Sequence, residues 1–207
     1  MNRGKFITFE GGEGSGKSTQ ARLLAEALRA KGHDVVVTRE PGGTPLGESI
    51  RELILANRPA LDAEFLLFAA ARAEHVAQKI LPALEAGRWV VCDRYIDSTR
   101  VYQGKLAGVD AHLIDVVELH TSRAVWPALT IVLDVPPATG RARASERGEL
   151  NRYDAENLSY HDKIRQGFLD IAAEDPDRCV VIDGSRPATA VAAAVCAAVS
   201  TRLGVET

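Results

Sequence analysis

Residues 6–19, Phe6-Ile7-Thr8-Phe9-Glu10-Gly11-Gly12-Glu13-Gly14-Ser15-Gly16-Lys17-Ser18-Thr19, decide the fold. A short apolar segment runs into G-x-x-x-x-G-K-[ST], and a stretch of helical periodicity follows. The glycines let backbone N–H groups converge on phosphate oxygens, and the helix adds the positive end of its dipole. A plain glycine-rich turn is the alternative, which the strand before and the helix after disfavour. We predict a phosphate-binding loop (P-loop) in which Gly11 to Thr19 bind a nucleotide, Lys17 neutralises phosphate charge and Ser18 ligates Mg²⁺.

Four more segments are as short and apolar as Phe6–Phe9, which is typical of buried parallel strands. They are Val35–Val37, Trp89–Cys92, Thr130–Val135 and Cys179–Ile182. The predicted helices are Ser18–Lys31, Asp62–Ala86 with a bend or break at Pro82, Asp110–Ser122, Pro137–Arg147, Glu156–Glu174 and Ala188–Leu203. The alternation predicts an α/β, three-layer P-loop NTPase fold with a five-stranded parallel sheet flanked by helices. We expect one domain over residues 1–207.

Composition limits the function classes. The chain has 207 residues, with 25 basic and 28 acidic side chains, and this balance argues against binding a nucleic-acid polymer. Three cysteines without C-x-x-C spacing argue against a disulfide framework and against a zinc site. No signal peptide and no long apolar run are present, which predicts a cytoplasmic protein without membrane segments. The missing N-K-x-D motif disfavours a GTPase, and the length leaves little room for a motor domain.

Two strand ends carry charged residues. Asp93 ends an apolar strand and is followed by Arg94, which favours a second Mg²⁺-shell acid over a simple helix cap. After the second predicted strand, Thr38-Arg39-Glu40-Pro41-Gly42-Gly43-Thr44 is either a Pro-Gly turn or a loop that holds Arg39 at the ligand-binding sheet edge.

Two helical patterns leave alternatives open. Glu64, Phe68, Arg72 and His75 fall near one helix face, so Phe68 is either core or a stacking platform beside Arg72. Between residues 141 and 152, four arginines oppose two glutamates, which fits either a solvated helix face or an arginine-bearing flap over a phosphoryl group. The five histidines lack metal-ligand spacing and are interpreted as surface or structural residues.

Several motifs together resemble the bacterial thymidylate kinases and span nearly the whole chain. They are Phe9-Glu10-Gly11 before the P-loop, TREPGGT (38–44), LFAAAR (67–72), DRY (93–95), STRVYQG (98–104) and RGEL (147–150). The resemblance implies phosphoryl transfer from ATP to dTMP with Mg²⁺ and no general base. It also implies a homodimer, a cis Glu40–Pro41 bond and a lid at about 141–155.

The resemblance also assigns residues. Phe68 would stack on thymine, Arg72 would hydrogen-bond its carbonyl, Thr99 would lie at the base edge and Tyr102 under the sugar. The implied acceptor-binding set is Glu10, Arg39, Phe68, Arg72, Arg94, Ser98, Thr99, Tyr102 and Gln103. Arg143 and Arg186 join the P-loop in binding ATP, and Ser18, Asp93 and Glu10 face the metal. Because the P-loop holds no arginine, the catalytic cations would be Lys17, Arg94 and the lid's Arg147 and Arg152.

Two rival functions remain at this stage. One is a P-loop kinase for another small acceptor, and the other is a non-catalytic regulator that responds to ATP. The charge pattern predicts that Lys17, Arg39, Arg72, Arg94 and residues 141–152 converge on one cationic cleft, with the acidic residues elsewhere.

Overall fold

Five parallel strands form the centre of the protein, whose computed structural model describes residues 3–146, 148, 153 and 156–207. The strands are β1 (Phe6–Glu10), β2 (Val35–Arg39), β3 (Trp89–Asp93), β4 (Leu129–Asp134) and β5 (Cys179–Asp183). They lie in the order β2-β3-β1-β4-β5. The predicted five-stranded parallel sheet is therefore confirmed, with each strand within two residues of its predicted bounds.

Helices cover both faces of the sheet. They are α1 (Lys17–Ala30), α2 (Pro45–Ala56), α3 (Leu61–His75), α4 (Leu81–Glu85), α5 (Ile96–Thr99), α6 (Ala111–Thr121), α7 (Pro137–Glu146), α8 (Leu158–Glu174) and α9 (Ala188–Leu203). On one face, Leu24 and Leu28 of α1 and Val195 of α9 pack with Ile131. The three layers follow from apolar strands that need cover on both sides. No helix in the described part of the chain is long and apolar enough to cross a membrane.

Burial differs between the central and the edge strands. Strands β1, β3 and β4 bury almost every residue, whereas Val37 of β2 and Val181 of β5 are 37% and 45% exposed. The sequence predicted all five as buried strands, and for the two edges this is wrong. A run of valines is typical of any parallel strand, so it does not show whether a further strand lies on both sides of it.

The sequence also missed α2 and the helical segment after β3. Thr44 caps α2 by accepting a hydrogen bond from the N–H of Gly47, and Pro45 occupies its first turn. The long predicted helix 62–86 is interrupted by a π-helical turn, Val76–Ile80, just before Pro82. Proline lacks the N–H that would bond the preceding turn, so the interruption at this point is expected.

Candidate active site

The P-loop lies at the carboxyl end of β1 and leads into α1. Gly14 and Gly16 have φ angles of 69° and 92°, which glycine adopts at little cost. A Cβ atom on Gly14 would lie 1.9 Å from the carbonyl oxygen of Gly140, so the loop rests directly on α7. Lys17 Nζ folds over the loop and donates to the carbonyl oxygens of Gly11 and Gly12 at 3.0 and 2.8 Å. The loop therefore has the curled form that phosphate binding requires.

Ser18 and Asp93 form a pair of oxygen donors beside this loop. The Ser18 hydroxyl donates to Asp93 Oδ2, while Asp93 Oδ1 is buried without a hydrogen-bond partner among the described residues. An orphaned carboxylate oxygen next to a hydroxyl suits a hard divalent cation, whose remaining ligands would be phosphate and water oxygens. The two side chains thus fit the predicted Mg²⁺ site.

Glu10 lies behind this pair and is fully buried. Its carboxylate accepts hydrogen bonds from the N–H of Tyr95 (2.8 Å) and from the hydroxyl of Ser98 (2.6 Å). Burial, followed by the charge of Asp97, raises the pKa of Glu10 to about 8. Its assigned contact with substrate or metal stays a prediction, because the carboxylate is occupied in holding the chain after β3.

A cavity opens beside the P-loop at the ends of β2 and β3. Its lining residues are Glu13, Glu40, Pro41, Arg51, Ile54, Leu55, Phe68, Arg72, Arg94, Tyr95, Ser98, Thr99, Tyr102, Gln103 and Tyr153. Six residues of the predicted acceptor set are therefore brought together with Arg94. We refer to this space as the acceptor cavity.

Arg94 and Glu13 meet at the end of the acceptor cavity nearest the P-loop. Arg94 donates to Glu13 Oε1 at 2.7 Å and to the carbonyl of Gly11 at 3.3 Å, and the Tyr102 hydroxyl donates to Glu13 at 3.0 Å. Burial would raise the pKa of Glu13, but the charges of Arg94 and Lys17 and the Tyr102 hydroxyl lower it to about 2. Arg94 has a φ of 67°, a strained backbone conformation in the short connection from β3 to α5, where its N–H donates to the carbonyl of Phe9 at 2.9 Å.

Arg72 occupies the opposite end of the acceptor cavity and is 3% exposed. It donates to Glu40 Oε2 at 2.8 Å, to Thr99 Oγ1 at 2.9 Å and to the carbonyl of Tyr95 at 3.2 Å. His75 contacts the other oxygen of Glu40 at 3.0 Å and is fully buried, which agrees with a structural role. The cis Glu40–Pro41 bond expected from the resemblance is present and precedes the Pro41 wall of the cavity.

At the end of the acceptor cavity near the P-loop, the positions of Arg39 and Arg51 differ from the prediction. Arg39 is more than half exposed and pairs with Glu48 at 2.9 Å, so it does not line the acceptor cavity and its phosphate contact stays a prediction. Arg51 of α2 lines the cavity instead and donates to the carbonyl of Pro41 at 3.3 Å. Arg51, Ile54 and Leu55 were not predicted as site residues because they lie on α2, which was not predicted. The Thr44-Pro45 capping signal would have revealed that helix.

A second cleft lies on the opposite side of the P-loop, between α1 and the chain after β5. It is lined by Gly14, Ser15, Gly16, Thr19, Gln20, Arg143, Gly184, Ser185, Arg186, Pro187, Ala188 and Val191. The predicted ATP residues Arg143 and Arg186 are thus adjacent to the P-loop. Arg143 donates to the carbonyls of Gly184 and Ser185 at 2.8 and 2.9 Å and so fixes this loop. We call this space the donor cleft.

The predicted lid is only partly described. Arg147 and Arg152, the predicted catalytic lid arginines, lie outside the described residues, whereas Arg141 lies near Gly12 and His161. The prediction that acidic residues lie away from the cationic cleft is wrong, because Glu13 and Glu40 lie inside the acceptor cavity beside Arg94 and Arg72. Buried arginines need such partners, so the charge in the cavity is largely paired.

Comparison with known proteins agrees with this geometry. A sequence model of the family described as thymidylate kinase matches residues 9–195. The thymidylate kinase of Nitrobacter winogradskyi is 53% identical over 97% of this chain and 90% of its own length, and that of Caulobacter vibrioides is 49% identical over 99% and 100%. The crystal structure of thymidylate kinase from Ehrlichia chaffeensis, 38% identical, superposes with a TM-score of 0.77 and covers 95% of this chain and 99% of its own. The chain belongs to the thymidylate kinase family.

Proposed function

We propose that this member of the thymidylate kinase family transfers the γ-phosphoryl group of ATP to the 5′-phosphate of dTMP, which yields ADP and dTDP. The observation that carries the proposal is the acceptor cavity, which runs from Phe68 and Arg72 to Arg94. Arg94 also donates to the P-loop carbonyl of Gly11. A phosphate held by Arg94 would therefore lie beside the phosphates held by the P-loop.

The far end of the acceptor cavity supports recognition of a pyrimidine base. Phe68 supplies an aromatic face, and the guanidinium of Arg72 is held in the plane set by Glu40 and Thr99. An arginine fixed in this way can donate to a base carbonyl with little loss of conformational entropy. Tyr102, whose hydroxyl donates to Glu13 at the Arg94 end of the cavity, would lie under the sugar, and the carboxylate of Glu13 can accept a hydrogen bond from a sugar hydroxyl.

The chemical step needs charge neutralisation more than proton transfer. An oxygen of the dTMP phosphate forms a bond to the γ-phosphorus, and the bond from that phosphorus to the β,γ-bridging oxygen breaks. The acceptor phosphate has a second pKa of about 6, so its oxygen is largely ionised at neutral pH and no general base is required. Lys17 and Arg94 provide positive charge where the two anions meet.

Ser18 and Asp93 would hold the Mg²⁺ that accompanies ATP, and the metal supplies electrostatic stabilisation of phosphate charge. Arg147 and Arg152 complete the proposal as lid cations, as the resemblance implies. Arg143 and Arg186 are proposed to contact the nucleotide in the donor cleft, where they lie beside Gly16 and Thr19.

An acceptor comparison tests the assignment. ADP release is measured in a coupled assay with dTMP, dUMP, UMP and AMP at one ATP concentration. We expect dTMP to give the highest kcat/KM. A preference for AMP would contradict the proposed base site, and ATP binding without acceptor-dependent turnover would favour the regulator.

A matched pair of variants tests the P-loop chemistry. Lys17→Ala is expected to lower kcat by two or more orders of magnitude, since it removes a cation at the transferring group. Lys31→Ala, at the other end of α1, removes an exposed lysine paired with Glu206 and should leave kcat unchanged. Near-normal turnover of Lys17→Ala would remove Lys17 from the mechanism.

We propose further that two copies of the chain associate through α3 and α6. Leu66 and Leu119 are 56% and 58% exposed there, and Leu113 and Val116 continue this apolar face. Leu119→Glu is expected to shift the mass measured by light scattering from dimer to monomer, while Leu158→Glu on α8 should not. A monomeric wild-type protein at micromolar concentration would contradict this part. We also propose that residues 1–207 form one domain. A cytoplasmic location is the last part of the proposal, and the free thiols of Cys92, Cys179 and Cys196 are compatible with it.

A further inference from the structure

The guanidinium of Arg72 has charged neighbours on two sides. On one side, its Nε donates a hydrogen bond to Glu40 and its Nη2 donates one to Thr99. Its Nη1 faces Glu118 of α6, with 3.8 Å between Nη1 and Glu118 Oε1. The guanidinium of Arg72 therefore lies between two carboxylates, that of Glu40 after β2 and that of Glu118 on α6.

Glu118 is an unusual residue for a helix interior position, because it is a carboxylate only 1% exposed. Its Oε2 accepts a hydrogen bond from Arg100 Nε at 3.0 Å. Its Oε1, which faces Arg72, is buried without a hydrogen-bond partner among the described residues. A buried and incompletely bonded carboxylate costs stability, so its presence points to a role that an apolar residue would not fill.

We propose that Glu118 is a positioning residue that orients Arg72 toward the base of the nucleotide acceptor. The inference rests on the proposed function, since it assigns Arg72 to base recognition. Arg72 has Glu40 as its strong partner on one side, and the attraction of Glu118 opposes a shift of the guanidinium toward Glu40. Arg72 then stays in place as a lining residue of the acceptor cavity.

The charge of Glu118 is set by groups on several elements. Burial raises its pKa to about 7, although the charges of Arg72 and Arg100 and the Arg100 hydrogen bond oppose this, and Asp97 adds to the rise. Asp115, on the same helix, faces the other end of Arg100 at 2.9 Å. Glu40 and His75 lie beyond Arg72. As the pH falls below about 7, Glu118 takes up a proton and its hold on Arg72 weakens.

The test separates positioning from structural support. Glu118→Gln should raise KM for dTMP about tenfold at pH 8, the factor expected from loss of one ionic contact, and should change kcat little. Asp115→Asn is the matched control, because it removes the outer partner of Arg100 and leaves the carboxylate beside Arg72 in place. It should leave KM for dTMP unchanged.

A pH series with thymidine as a competitive inhibitor gives an independent readout, because thymidine lacks the titrating phosphate. We expect its inhibition constant to rise for the wild type between pH 8 and pH 6 and to stay constant for Glu118→Gln. An unchanged KM in the variant, or identical pH dependence in both proteins, would overturn the inference. Absence of dTMP-dependent ADP release by the wild type would instead refute the proposed function.

Discussion

Replacing Glu13 by glutamine removes the counter-charge of Arg94 at the centre of the site. In the folded protein the pKa of Glu13 is lowered from 4.5 to about 2, even though burial acts in the opposite direction. Such a lowering corresponds to about 3 kcal/mol of folding stability at neutral pH. This contribution is fully present above pH 4.5 and is lost as the pH falls toward 2.

The assay is urea unfolding of the wild type and Glu13→Gln at pH 7 and pH 3. The difference in the free energy of unfolding between the two proteins should shrink by about 2 kcal/mol from pH 7 to pH 3, because the unfolded wild-type chain takes up the proton first. Glu26→Gln is the control, since Glu26 is more than half exposed and pairs with Arg22 one turn away. Its effect should stay within a few tenths of a kcal/mol at both pH values.

A difference for Glu13→Gln that is the same at pH 7 and pH 3 would refute the reasoning. It would mean that the carboxylate is not held in its ionised form by Arg94 and Lys17 in the folded protein. Glu13 would then not act as the ionised partner of Arg94, and the charge of Arg94 in the acceptor cavity would not be paired.

Three other changes give measurable outcomes. Burial, followed by the charge of Arg94, lowers the pKa of Lys17 to about 8, so kcat/KM for ATP should fall above about pH 8. Lys17→Arg should shift this fall in kcat/KM to higher pH. If the fall stays at the same pH in the variant, Lys17 is not its source. Asp97→Asn should cost about 3–5 kcal/mol in urea unfolding, because it breaks the bidentate pair between the buried Asp97 and Arg178, which is only 13% exposed; a loss below 1 kcal/mol would contradict this. Gly14→Ala should abolish the ATP-induced rise in Tm, whereas Gly108→Ala, also at positive φ but in open space, should retain it.

The sheet could be predicted because each strand is short, apolar and followed by a helical period. The distinction between edge and centre could not, since the side chains of Val35 to Val37 are the same whichever neighbours the strand has. Helix α2 was missed because Pro41 to Pro45 mark a turn, and a turn motif hides the cap of a helix that begins directly after it.

The site residues divide in the same way. Phe68, Arg72, Arg94 and Tyr102 carry motif signals, and the structure brings them to one cavity. Glu118 carries none, because its importance arises from the approach of α6 to α3 across the fold. The place of Glu13 opposite Arg94 likewise depends on the curvature of the P-loop, which the motif predicts only in outline.

The position of β1 at the centre of the sheet has a consequence for how specificity can change. Among the described residues, the acceptor cavity is lined by Glu13, by Tyr153 and otherwise by residues 40–103, on the side of β2 and β3. The donor cleft is lined by the P-loop, by the start of α1 and by described residues from 143 to 191, on the side of β4 and β5. The preferences for the two nucleotides are therefore encoded in separate stretches of the chain. Replacing residues 40–103 by those of a relative would transfer that relative's acceptor preference and leave the phosphoryl-donor preference unchanged.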